Sequence, residues 1–224
     1  MDFQNFVNQP IITGPSDKLV LDLINLPSLH MLLGVVDKII TTLEAILFSS
    51  LGEGQIWMDR VLKEVLHIGR KCKQGRQALE GNQARKFIKS VDLVERELRK
   101  EKEEVVIKGL PLLEAAKSFN KVVEGCMGVE LQPDWVVFIE SFKEKYLATN
   151  MSVTPKVHMV FDHIKDFIKL KGDAHGLGYY SEQAMEAQHH DFKTHWEKRK
   201  VHPDHPEFGE RLKKAVSRYS AVHI

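Results

Sequence analysis

Two Glu-x-x-His pairs, Glu64-Val65-Leu66-His67 and Glu186-Ala187-Gln188-His189, have a spacing that could hold a metal. Three-residue spacing puts both side chains on one helix face. Two such pairs and two further helix carboxylates make the ligand set of a di-iron four-helix bundle. Glu140 or Glu144 could supply one of those carboxylates, and Asp37 or Glu44 the other. A helical chain rich in Glu and His also produces such pairs by chance.

His158 and His163 are a second candidate set. Five residues turn a regular α-helix through about 500°, so the two rings diverge by roughly 140°. They share a metal only where the backbone bends, as it can when the first histidine sits in or just before the first turn. Cys126, as a thiolate, is then a third ligand for Zn2+. Without a bend the two are ordinary core or surface histidines.

Glu182 and Glu186 stand four apart at the start of a predicted helix and share a face. A carboxylate at that positive helix end is stabilised with or without a function. Chemically the pair could hold Mg2+ for phosphoryl transfer, given two more acids from elsewhere. Gly176-Leu177-Gly178-Tyr179-Tyr180-Ser181 leads into them as a tight, aromatic approach. The sequence has no nucleophile elbow, phosphate-cradling glycine loop or dinucleotide fingerprint.

The elements that position these residues are nearly all helical. Residues 1–17 read as a loose lead-in, and residues 18–24 (KLVLDLI) as the one good strand. Residues 18–224 are expected to form a single helical domain. Ser28 caps a long helix whose Leu29, Leu32, Leu33, Val36, Ile39, Ile40, Leu43 and Leu47 form a wide apolar stripe. Gly52 and Gly54 end it. A second helix runs to about Gly69, a loop covers residues 75–81, and Asn82 caps a third helix. Pro111 and Pro133 open a fourth and a fifth. Ser152 or Thr154, with Pro155 behind it, opens a sixth that closes at Gly172. Ser181 caps a seventh, and a last helix follows Pro206. The expectation is mainly α, with seven to eight helices and at most one or two short strands.

The 32 basic and 31 acidic side chains leave a net charge of +1, which argues against a field of one sign over the whole molecule. Residues 70–76 and 193–200 are locally basic and read as a solvated loop and a solvated helix face. No apolar run reaches the roughly 18–20 residues of a spanning helix. Met1-Asp2-Phe3 opens no secretory signal, and Cys72 and Cys126 make no disulfide framework. An intracellular protein without a membrane segment or small-molecule cofactor is expected.

Four segments then fall in one order: residues 26–34 (LPSLHMLLG), residues 80–87 (EGNQARKF), the pair His158/His163, and residues 180–186 (YSEQAME). That order resembles the back half of the catalytic core of the V(D)J recombinase catalytic subunit and the related Transib transposases. It is also similar to uncharacterised transposable-element proteins of invertebrates. The resemblance runs from about residue 18 to near the end of the chain. It implies a ribonuclease-H-like fold with a DDE triad of metal-binding acids, split by a large helical insertion. Residues 18–24 would be the last strand of that sheet, and Glu182 the triad glutamate, with Glu186 as the fallback. Mg2+ or Mn2+, DNA cleavage and strand transfer, DNA as partner and a nuclear location are all implied by it. So is a zinc site in the insertion, held by two cysteines and a spaced histidine pair that His158 and His163 match.

The departures shape the expectation. The family's second Asp lies just before the Leu-His pair, where this chain has Pro27 and Ser28; the nearest acid is Asp22. The strands holding the first Asp would lie upstream of Met1. Cys126 falls near the cysteine pair, but Leu131 stands where a second cysteine would be sought. The chain alone is therefore expected not to cut DNA, and its zinc site to be weak or vestigial. A strand at residues 18–24 without the rest of its sheet would be half covered, so self-association is expected. The alternatives are a helical protein-interaction module and the di-iron bundle. Metal analysis separates the three: one zinc, nothing, or two irons.

Overall fold

The computed structural model describes residues 25–52, 54–73, 76–180, 192–193, 196–197 and 200–223. Its coordinates form two compact units, Met1–Tyr180 and Ser181–Ile224. The fold is mainly α, as expected, with eight helices among the described residues.

In the first unit, α1 is Ser28–Leu51 and α2 is Gly54–Arg60, which runs on into a π-helical turn, Val61–Val65. Two three-residue strands follow, β1 (Lys71–Lys73) and β2 (Arg76–Ala78), paired antiparallel as a hairpin. Then come α3 (Gly81–Lys89), α4 (Val91–Leu98), α5 (Glu103–Cys126) and α6 (Trp135–Ala148). The last helix of this unit, α7, covers residues 155–170 and contains a π-helical turn, Met159–His163. In the second unit, α8 is Phe208–His223, and the Trp196 ring meets Phe208 edge-on at 5.6 Å between centroids.

The core is built on two long helices. Helix α1 packs against α2, α3, α5 and α7, and α5 packs against α1, α3, α4 and α6. Met31, Leu32, Val35, Val36, Ile39, Ile40, Leu43 and Leu47 are buried along α1, a stripe wide enough to serve several partners. Phe119 of α5, Phe142 and Tyr146 of α6 and Phe161 of α7 form a four-ring cluster, with centroids 4.9–5.6 Å apart. The Tyr146 hydroxyl in that cluster donates to the Ser152 carbonyl at 2.9 Å, so its burial leaves no stranded donor.

Several boundaries differ from the sequence-based expectation. The hairpin replaces the expected basic loop. Glu80, not Asn82, is the residue before α3, and its N–H donates to Gln83 Oε1 at 2.8 Å in a reciprocal capping box. The expected third helix breaks at Ser90 into α3 and α4. Pro111 lies inside α5 rather than at a helix start. Its missing N–H would have served the Ile107 carbonyl, and Ile107 is exposed, where water can take that bond. Thr154 does cap α7, accepting from the Val157 N–H at 3.3 Å, with Pro155 behind it. Gly172, at φ 84°, follows the helix end.

Candidate functional site

The π-helical turn in α7 is what brings the histidine pair together. A π-turn closes its hydrogen bonds from i to i+5, so residues five apart stand nearly above one another. The His158 and His163 rings accordingly meet edge-on, 4.9 Å between centroids, where a regular helix would have turned them apart. His158 sits in the first turn of α7, the place where such a bend was required. Asp162, one residue before His163, joins them: its Oδ2 lies 2.9 Å from His158 Nδ1, and its Oδ1 accepts from Lys143 Nζ at 2.8 Å. The Lys143 hydrogen bond holds the Asp162 carboxyl below its ordinary range, against the opposing effect of burial. The two exposed histidines are thus tied to α6 through Asp162 and Lys143.

Cys126 does not extend it. Its thiol is buried at the end of α5, donates to the Val122 carbonyl at 3.3 Å, and burial pushes its pKa up to about 12. A zinc ligand must be a thiolate. Among the described residues no three His, Cys, Asp or Glu side chains converge on a point. The two histidines suit Zn2+, but the set is two short of a closed tetrahedral site. Native protein treated with an alkylating reagent should therefore show no modification of the Cys126 peptide by mass spectrometry. The same peptide should be modified fully in denaturant. Rapid native labelling at Cys126 would show that this thiol is not buried.

The other sequence candidates fall differently. Glu64 and His67 are both exposed, and His67 has left the helix in the left-handed region, at φ 51°. They cannot face a bundle core together. Glu44 is ion-paired with Arg70, and Glu140 with Lys165. Asp22 and the strand expected at residues 18–24, and Glu182, Glu186 and His189, lie outside the described residues.

The approach to Glu182 is described as far as Tyr180. Residues 176–178 lie backbone to backbone along the turn after α5. Leu177 N–H donates to the Cys126 carbonyl at 2.7 Å, Gly178 N–H to Gly128 at 2.8 Å, and Gly176 N–H to Val129 at 2.9 Å. A Cβ at Gly176 would sit 2.4 Å from the Gly128 oxygen, so the strip requires glycine there. Beyond it, Tyr179 stacks on His175 with 3.9 Å between centroids, and Tyr180 meets Phe167 edge-on.

Sequence reasoning missed the basic face of α3. Its buried side is Ala84, Phe87 and Ile88, which leaves Asn82, Arg85, Lys86 and Lys89 on the outside. Their spacing is three, four and seven, one stripe along the helix. The helix contains no Asp or Glu. Among the described residues Arg85 and Lys89 have no carboxylate partner, and Lys86 donates only to the His67 carbonyl, at 3.4 Å. The hairpin reaches α3 through Leu79 and Glu80, and its register makes the cationic residues Lys73 and Arg76 Cα partners. The signal was present in residues 82–89 as a helical period of cations. Along the sequence the stripe is interrupted by Gln83, Ala84, Phe87 and Ile88 and forms no continuous basic run; only the helix gathers it on one side.

No family model, curated protein or solved structure matches this chain. No helix among the described residues is long and apolar enough to cross a membrane.

Proposed function

We propose that this chain is the C-terminal, helical part of a DDE-type transposase core, and that on its own it binds DNA without cutting it. The observation that carries the DNA-binding half is the carboxylate-free stripe of Arg85, Lys86 and Lys89 on α3. Cations spaced along one helix face suit a row of phosphates, which position a protein on nucleic acid without reading its sequence. An anionic membrane or an acidic protein surface would need apolar anchors nearby. Among the described residues no large apolar side chain is exposed between Ile56 and Ile107.

The lineage rests on the resemblance of the four ordered segments. The His158/His163 pair, its rings edge-on at 4.9 Å between centroids, supports it, because the resemblance expects a spaced histidine pair at this place. Two-metal cleavage needs acids on both ions, and of the family's three acids the resemblance supplies this chain only with Glu182. The helical interaction module remains the second reading.

Fluorescence anisotropy with a labelled DNA duplex tests the proposal. Binding should weaken steeply with salt. The triple variant Arg85→Ala, Lys86→Ala, Lys89→Ala should bind at least tenfold more weakly, and its log–log salt slope should fall by about 3. With Mg2+ or Mn2+ the native chain should give no nicking, hairpin formation or strand transfer. Unchanged affinity in the triple variant would remove α3 from the interface. Cleavage abolished by Glu182→Gln would overturn the non-cutting half.

A further inference from the structure

Asn82 is the one uncharged member of the stripe on α3, and the helix has no use for its side chain. The cap of α3 is closed by its neighbours: the Glu80 carboxylate accepts from the Gln83 N–H, and Gln83 Oε1 accepts from the Glu80 N–H. That reciprocal box serves the donors that an asparagine at a helix start usually serves. Asn82 is exposed, and among the described residues its carboxamide has no hydrogen-bond partner. Asparagine is also a poorer helix former than alanine, so at this place it adds nothing to the stability of the helix.

The rest of the stripe differs from it in kind. Arg85, Lys86 and Lys89, three, four and seven residues on, carry hydrogen-bond donors only. Donors suit phosphate oxygens, which only accept. A carboxamide presents an acceptor and two donors in one plane, so its match is a partner that offers both. Adenine has that pattern on its major-groove edge, where N7 accepts and the N6 amino group donates, and asparagine meets the two together. Charge at the head of the helix does not oppose a nucleic acid, because Glu80 is paired with Lys71 at 2.8 Å.

We infer that Asn82 is a residue with which this chain reads sequence: its carboxamide bonds an adenine edge in the major groove of duplex DNA, while Arg85, Lys86 and Lys89 hold the phosphates beside it. Side chains at the start of a helix laid in the major groove are the ones that meet base edges, and those further along reach the backbone. The inference rests on the DNA-binding reading of α3. It adds a base preference, which contacts to phosphate alone do not give.

Selection by the full chain from DNA duplexes with a randomised core supplies the probe. Adenine should be enriched at a fixed position. Replacing that adenine with 7-deazaadenine removes N7 and keeps the base pair, and it should weaken binding about fivefold or more. Asn82→Ala should melt no lower than the native chain and should bind the adenine and 7-deazaadenine duplexes equally. Arg85→Ala should weaken both duplexes alike and lower the log–log salt slope by about 1. That pattern supports the inference. Salt-dependent binding with no enriched adenine overturns it and leaves phosphate binding by α3 standing. So does a loss on 7-deazaadenine that is as large in Asn82→Ala as in the native chain. Failure of the native chain to bind any duplex overturns both the inference and the reading beneath it.

Discussion

Replacing Phe142 with alanine should cost about 3–5 kcal/mol of stability and lower the melting temperature by roughly 6–20 °C. Phe142 is fully buried and is the one ring in contact with each of Phe119, Tyr146 and Phe161. Removing it opens a cavity where α5, α6 and α7 meet. It also removes three ring–ring contacts, each worth about 0.5–1.5 kcal/mol beyond the area it buries. Val137→Ala, on the exposed side of the same helix, is the control and should shift stability by no more than about 0.5 kcal/mol. Thermal unfolding followed by circular dichroism reads both. A Phe142→Ala loss below about 1 kcal/mol would mean that the four rings do not form one packed centre.

That cluster shows what periodicity made legible and what it did not. Phe138, Ile139 and Phe142 read as the inner side of a helix because they recur at three and four, and Ile139 and Phe142 are fully buried. The long apolar stripe of α1 was legible for the same reason. Its width was underestimated: Met31 and Val35 are fully buried as well, because α1 is enclosed by four helices rather than packed on one. The break at Ser90 was not legible. No Gly or Pro marks it, and Phe87, Val91, Val94 and Leu98 keep helical spacing across it. The hairpin was hidden because KCK and RQA are only three residues each, shorter than the run of four to eight over which a strand period can be read.

The candidate site was legible as a set of residues but not as a geometry. His158 and His163 could be named from their spacing, and so could the need for a bend between them. A π-turn has no reliable sequence mark, so its presence at Met159–His163 is known only from the backbone. Cys126 could be named as a possible ligand because a sequence does not reveal burial. At the end of α5 its buried surroundings raise the cost of the thiolate. The basic face of α3 needed both the helix and its buried side before four polar residues became one surface.

Gly54→Ala should lower stability by about 2 kcal/mol or more, against the usual direction for this substitution in a helix. Helix propensity alone favours alanine by up to about 1 kcal/mol. Steric crowding opposes it. A Cβ at Gly54 would stand 1.9 Å from the Glu44 carbonyl oxygen and 2.7 Å from the Phe48 amide nitrogen. Both are backbone atoms of α1 and have no rotamer to change, so α2 has to back away from α1. Overpacking of this kind costs about 1–3 kcal/mol and sometimes more. Trp57 and Met58, buried on the same short helix, would then lose contact with α1. Two other glycines calibrate the result. At Gly34 the nearest atoms belong to Lys156: its Cδ, at 2.1 Å, can swing aside, but its Cβ, at 3.0 Å, is fixed to the backbone of α7, so Gly34→Ala should cost less than Gly54→Ala without being free. At Gly52 nothing is crowded but φ is 75°, so Gly52→Ala should cost about 1 kcal/mol from backbone strain alone. Gly34→Ala and Gly52→Ala should therefore both melt above Gly54→Ala. If Gly54→Ala melts at or above the native temperature, α1 and α2 are not in backbone contact at that residue, and the loop that delivers Arg70 to Glu44 and Asp59 must be placed differently.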